Sequence, residues 1–166
     1  MIEVIRNLHD LNSLLIREIR PTDYHAIDSI ALALTPTWFT EAALPEIAQA
    51  VRNEHGRVAF KDGVQVGFAT YNVSSDNQTA QLTWIAVHPD LHRQGVGRKL
   101  IESIERELSS EGVLKLEVCT VAATVQYEPY ARTRSFYHAI GFNDVSVEPK
   151  GFPSGDDKLL LRKHML

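Results

Sequence analysis

Cysteine is nearly absent from this chain: Cys119 stands alone in 166 residues, so no internal disulfide can form. In the run LKLEVCTV it reads as a small hydrophobe in a strand, and no local base marks it as a nucleophile. Long apolar runs are missing as well. No stretch approaches the roughly 20 residues that span a bilayer, and Glu3 and Asp10 interrupt the N-terminal apolar residues where a secretory segment would be uninterrupted. No membrane association and a cytoplasmic location are therefore expected. A surplus of positive charge is lacking too, since 17 Lys and Arg face 21 Asp and Glu, for a net charge of −4. No broad basic surface for nucleic acid follows, and a neutral or cationic partner is mildly favoured. The seven histidines fall in no ligand spacing with acids or thiols, so no metal site is expected. What the chain does have is 44% hydrophobic residues, enough over this length for one compact domain.

No repeat, low-complexity tract or linker interrupts the pattern. Residues 14–20, LLIREIR, predict a first strand, and Thr22 or Asp23 after Pro21 caps a helix reaching about Leu34. Pro36 breaks it. A second helix is expected over 41–52, with Pro45 confined to its first turn or marking a break, and His55 and Gly56 ending it. RVAFKDG and VQVGFATYNV then predict a hairpin around Asp62-Gly63. After the turn SSDNQ come a strand near 82–87, a helix from about Gly97, a strand VLKLEVCTV, a helix over 129–140, and two closing strands in FNDVSVEP and DKLLLRKHM. That order predicts an α/β (α+β) fold, a mixed sheet with helices on both faces.

The densest information lies in residues 82–108. A strand from Leu82 to Val87 is stopped by Pro89, and Leu100, Ile101, Ile104 and Leu108 then recur on one helical face with Lys99, Glu102, Glu105 and Arg106 opposite. Between them, HRQGVGR places Gly95 and Gly97 where a helix starts, which leaves its first amides pointing outward with the positive end of the helix dipole. Two glycines one residue apart also serve a plain tight turn. The strand before, the basic turn and the helix after are the conditions that point instead to an anion site. A nicotinamide dinucleotide fold fits less well, with two of its three glycines present and the motif lying mid-chain.

The run His92, Arg93, Gln94, Gly95, Val96, Gly97 resembles the phosphate loop of the GNAT superfamily of N-acetyltransferases, with His92 where that family usually carries Gln or Arg. The resemblance implies acetyl-CoA as co-substrate. Its pyrophosphate would lie on the amides of Arg93, Gln94, Gly95, Val96, Gly97 and Arg98, with charge added by the two arginines. The backbone of Ile85, Ala86 and Val87 would hold the pantetheine and thioester, and the Val87 amide would polarise the thioester carbonyl.

A second run, RTRSFYHAIGF, is framed by Pro129 for a first helical turn and Gly141 after a last one. Its spacing predicts Phe136, Ala139 and Ile140 as the buried stripe, with Tyr137 bordering the core about 100° round. On its own, that tyrosine reads as an amphipathic ring at the core edge. FYHAIGF is similar to the family's late motif, in which the tyrosine matching Tyr137 protonates the departing CoA thiolate. Tyr130 occupies a position where the family often has asparagine. The resemblance implies a GNAT-like, mostly antiparallel mixed sheet over residues 14–166. Residues 1–13 form an N-terminal extension in which Ile5, Leu8 and Leu11 fit a short helix packed on the domain or on a second subunit of a homodimer.

No general base is assigned. Glu117 and Glu128 are candidates that read first as solvated or paired surface carboxylates, His138 points about 100° away from Tyr137, and His88 and His92 read as turn residues. For the acceptor, Trp38, Phe39 and Tyr127 are candidate substrate contacts, together with the loop Gly151 to Asp157; the first two either clamp a substrate or plug the core. The expected function is transfer of acetyl from acetyl-CoA to the primary amine of a small molecule or peptide by direct attack in a ternary complex. The competing readings are another acyl donor, a hydroxyl acceptor, or a non-catalytic CoA-binding or sensing module.

Overall fold

A computed structural model describes residues 13–165. The expected helix through Ile5, Leu8 and Leu11 lies outside the described residues. Strand β1 (Leu14–Glu18) pairs antiparallel with β2 (His55–Lys61), from Leu14↔Lys61 to Glu18↔Arg57. Helices α1 (Tyr24–Ala33) and α2 (Ala43–Asn53) intervene between them. Pro45 falls in the first turn of α2, where its missing N–H costs nothing. The link from β2 to β3 (Val64–Val73) is Asp62-Gly63 at φ +51° and +78°, the two-residue turn whose twist suits a hairpin. The remaining elements are β4 (Thr79–Val87), α3 (Val96–Ser110), β5 (Lys115–Val121), α4 (Glu128–Ala139), β6 (Asn143–Glu148) and β7 (Lys158–His164). The sheet runs β1-β2-β3-β4-β5-β7-β6, with β4 parallel to β5 and β7 antiparallel to both β5 and β6.

Two local expectations are corrected. His55 and Gly56 do not end a helix; they open β2, because the Gly56 carbonyl accepts from Ile19 N–H at 3.3 Å and is drawn into the ladder. Neither Thr22 nor Asp23 caps α1 through its side chain. The buried Asp23 carboxylate instead takes two hydrogen bonds from Arg17, at 2.7 and 2.9 Å, and one from the Arg20 N–H at 2.7 Å. Charge-assisted bonds outcompete neutral capping of nearby amides.

Backbone contacts divide the chain into two compact units. The first comprises the described residues up to Thr70 together with Trp84–Ile104. Its core joins Ile27, Ile30, Ala31 and Leu34 of α1 and its exit to Ile47 and Val51 of α2, and to Val58, Phe68 and Ala86 of the sheet. Residue 67 points to the opposite side of β3 from Phe68, and there a Cβ on Gly67 would meet Val96 and Leu100 of α3. Helices therefore cover both faces of the sheet in this unit. The amphipathic α3 also buries Ile101 and Ile104 fully, each contributing about 1.5–3 kcal/mol.

The second unit comprises Tyr71–Thr83 and the chain from Glu105. Its buried residues include Leu82, Leu108, Leu116, Val118, Tyr137, Phe142 and Leu161. Among the described residues, no helix is long and apolar enough to cross a membrane.

Candidate active site

In the first unit, β4 gives way to a single 3-10 turn, Pro89–Leu91, and then to the residues that open α3. The turn is closed by Leu91 N–H to the His88 carbonyl (2.9 Å) and His92 N–H to the Pro89 carbonyl (3.3 Å). Arg93 at φ +62° and Gly95 at φ +81° then reverse the chain. A side chain at Gly95 would touch nothing within 4 Å, so this glycine is required by backbone conformation and not by crowding. The first backbone bond of α3 is Lys99 N–H to the Gly95 carbonyl at 3.1 Å. Among the described residues, no hydrogen bond engages the amides of Gly95, Val96, Gly97 and Arg98. Buried Val96 pins the start of the helix, while Arg93 and Arg98 are exposed and make no ion pair among the described residues. Four unengaged donors at a helix N-terminus with two exposed guanidinium groups make a turn with the chemistry to take an anion. Gln94 braces it from outside, accepting from Lys61 Nζ (3.2 Å) and donating to the Asp90 carbonyl (3.3 Å).

The end of β4 is equally specific. The His88 N–H donates to the Val66 carbonyl of β3 at 2.8 Å, so the N–H and C=O of Val87 and of Ile85 point to the opposite edge. The backbone of Ala86 faces β3, its carbonyl 2.9 Å from where a Gly67 Cβ would stand. The register of β4 with β5 runs from Thr79↔Lys115 to Leu82↔Val118, although β4 continues to Val87.

Trp38 and Phe39 are half-buried against the first unit's core. Trp38 sets its ring edge-on to His92 at 4.9 Å, and Phe39 lies edge-on to Trp84 at 5.7 Å. Both rings pack on that core and keep part of their surface exposed. Tyr127, in the second unit, is exposed and stacks edge-on with Tyr130 at 4.7 Å.

Helix α4 is rotated from its expected setting. Tyr137 is 3% exposed, whereas Phe136 is half-buried and Ala139 is exposed. The stripe that enters the core is the Tyr137 and Ile140 side, with Phe142 beyond the helix packing on Tyr137 at 5.5 Å. Burial pushes the Tyr137 phenol well above its ordinary pKa, with nearby Cys119 adding to the shift. Burial likewise raises the Cys119 thiol, which removes thiolate character. Among the described residues, no hydrogen bond reaches the Tyr137 hydroxyl. Both candidate bases are engaged, Glu117 with Arg162 at 2.6 Å and Glu128 with Arg132 at 2.6 Å, and His138 meets Asp144 at 2.7 Å.

A family model described as the acetyltransferase (GNAT) domain matches residues 52–144, which hold the turn that opens α3 and the whole of α4. The chain belongs to the GNAT acetyltransferase family. Within that family, it is 33% identical over 98 residues to the [ribosomal protein bS18]-alanine N-acetyltransferase of Escherichia coli K12, covering 59% of this chain and 61% of that protein. The chain thus matches about three fifths of the length of its curated relatives. The crystal structure of the E. coli ribosomal-protein-S18-alanine N-acetyltransferase superposes with a TM-score of 0.73 at 25% identity, over 92% of this chain and 94% of that one. A GNAT-family protein from Desulfovibrio desulfuricans superposes with a TM-score of 0.80 at 25% identity, over 91% of this chain and 98% of that one. The fold alone is shared with a Salmonella typhimurium protein, YncA, whose structure holds its cofactor acetyl-CoA (TM-score 0.67, 19% identity, 93% and 95% coverage).

One contact in this region escaped the sequence reading. His92 reads as an exposed turn histidine, yet its Nε2 lies 2.7 Å from the Val87 carbonyl and its ring is partly buried against Trp38. The available signal was its place at the head of the loop motif, where the family usually carries a side chain with N–H donors.

Proposed function

We propose that this protein is an N-acetyltransferase that moves the acetyl group of acetyl-CoA to a primary amine, by direct attack in a ternary complex. The observation that carries the reading is the row of unengaged amides from Gly95 to Arg98 beside Arg93 and Arg98, a cradle for the CoA pyrophosphate. The edge of β4 presenting Ile85 and Val87 takes the pantetheine as an added strand would. On that edge, the Val87 N–H donates to the thioester oxygen as it gains charge. Ala86 is left out of this contact, since its backbone faces β3 and its side chain is buried in the core.

As the amine nitrogen bonds to the acetyl carbon, the carbon–sulfur bond breaks and the thiolate leaves. Tyr137 gives its proton to that sulfur, and the surplus proton of the attacking amine passes to water, from which the phenolate is reprotonated. A phenol whose pKa is raised by burial stays protonated across the physiological range, and the developing negative charge on sulfur is what must draw the proton from this weakened acid. The E. coli relative acts on the alanine of ribosomal protein bS18, which makes a peptide N-terminus the acceptor class to try beside small amines.

Calorimetric titration with acetyl-CoA, with CoA and NADH as comparisons, tests the reading, followed by thiol release over a panel of amines and Ala-initiated peptides. Micromolar binding of acetyl-CoA without NADH binding is expected. Failure of both acetyl-CoA and CoA to bind would reduce the cradle to a turn. Binding without turnover over the whole panel would favour a sensing module.

A further inference from the structure

Resting on that reading, we infer that His92 is a positioning residue which fixes the oxyanion amide of Val87 to the phosphate loop. The Val87 carbonyl can only accept, so the 2.7 Å contact requires the proton on His92 Nε2. The same peptide unit is held from its other side, because the His88 N–H donates to the Val66 carbonyl at 2.8 Å. Both polar groups of the 87–88 peptide are therefore tied, one to β3 and one to the loop. The Val87 N–H sits one Cα away and points to the edge that His92 occupies. Because the two peptides share the Val87 Cα, fixing the 87–88 plane narrows the range over which that N–H can turn.

Trp38 completes the arrangement. Its backbone N–H is bonded to the Leu34 carbonyl at 2.9 Å, its ring packs on the core, and its edge-on contact at 4.9 Å sets the plane of the His92 imidazole. His92 also immediately precedes Arg93, whose left-handed backbone turns the chain into the cradle. One short, stiff side chain thus couples the level of the anion site to the level of the carbonyl-polarising amide. Its share in catalysis is made through Val87 and needs no contact with substrate.

The test reads the bound thioester directly and needs no acceptor. Acetyl-CoA carrying a 13C label in the acetyl carbonyl is bound to the protein, and isotope-edited infrared spectra report how far that carbonyl band falls below its position in free acetyl-CoA. His92→Phe keeps a ring beside Trp38 and removes the donor, whereas His92→Gln restores an N–H. The parent protein and His92→Gln are expected to lower the band. His92→Phe should lose most of that shift while CoA affinity stays within about threefold. An undiminished shift in His92→Phe would overturn the inference, as would its loss in His92→Gln to the same degree as in His92→Phe. A parent protein that binds acetyl-CoA with no band shift overturns it too, leaving the cofactor assignment intact. A parent that binds neither acetyl-CoA nor CoA overturns the enzymatic reading itself.

Discussion

Two single residues divide the chemistry into parts that can be separated by substitution. Tyr137→Phe removes one hydroxyl from a buried ring that makes no hydrogen bond among the described residues, so little packing is lost. Thiol release should slow by about 10- to 100-fold while calorimetric CoA affinity stays nearly constant. A turnover equal to the parent's would take Tyr137 out of the proton transfer. Gly95→Val acts at the other end. Its side chain would enter open space but cannot comfortably adopt φ +81°, a strain of about 1–2 kcal/mol for most residues and more for a β-branched one. The expected result is a folded protein by circular dichroism with CoA binding abolished, and a folded variant of unchanged affinity would sink the cradle assignment.

Among the elements, the join of β1 to α1 carries the clearest pH signature. Asp23 is held below the ordinary carboxylate range, first by its side-chain bonds to Arg17 and then, against the opposing effect of burial, by the Arg20 N–H. A lowered folded pKa gives stability that is present above the unfolded value near 3.9 and lost as pH falls through the folded value. Asp23→Asn should therefore cost about 2 kcal/mol at neutral pH, and the gap in Tm between parent and variant should narrow below about pH 4. A gap that is constant with pH would mean the bond pattern, not the charge, matters. The same join shows what the sequence could and could not tell. Its turn was legible from Pro21, but the partner of Asp23 lies six residues back on a strand, and local capping rules do not see it. The succession of β4, glycine turn and α3 was legible because its signals are contiguous. The rotation of α4 was not, since Phe136, Tyr137 and Ile140 make two overlapping apolar stripes, and packing against Phe142 decides between them.

At the scale of the whole molecule, the chain passes between its two compact units inside continuous elements, at 70/71 in β3, 83/84 in β4 and 104/105 in α3. No single cut of the backbone yields both units as separate pieces. Acetyl-CoA at about 100 times its Kd should add about 2.7 kcal/mol, which for a chain of this length raises Tm by about 5–11 °C. Scanning calorimetry with and without acetyl-CoA checks this, and an unshifted Tm at saturating acetyl-CoA would contradict specific binding. Gly67 has a further consequence. A methyl group there would stand 2.9 Å from the Ala86 carbonyl and 3.3 to 3.4 Å from Leu100 and Val96, so only hydrogen lets α3 settle at its present depth on β3. The height of the turn that opens α3 is thus set by a residue outside it, nearly thirty positions earlier in the chain. A genetic selection for lost cofactor binding should recover Gly67 variants alongside those of the loop, and a comparison confined to the loop would leave them unexplained.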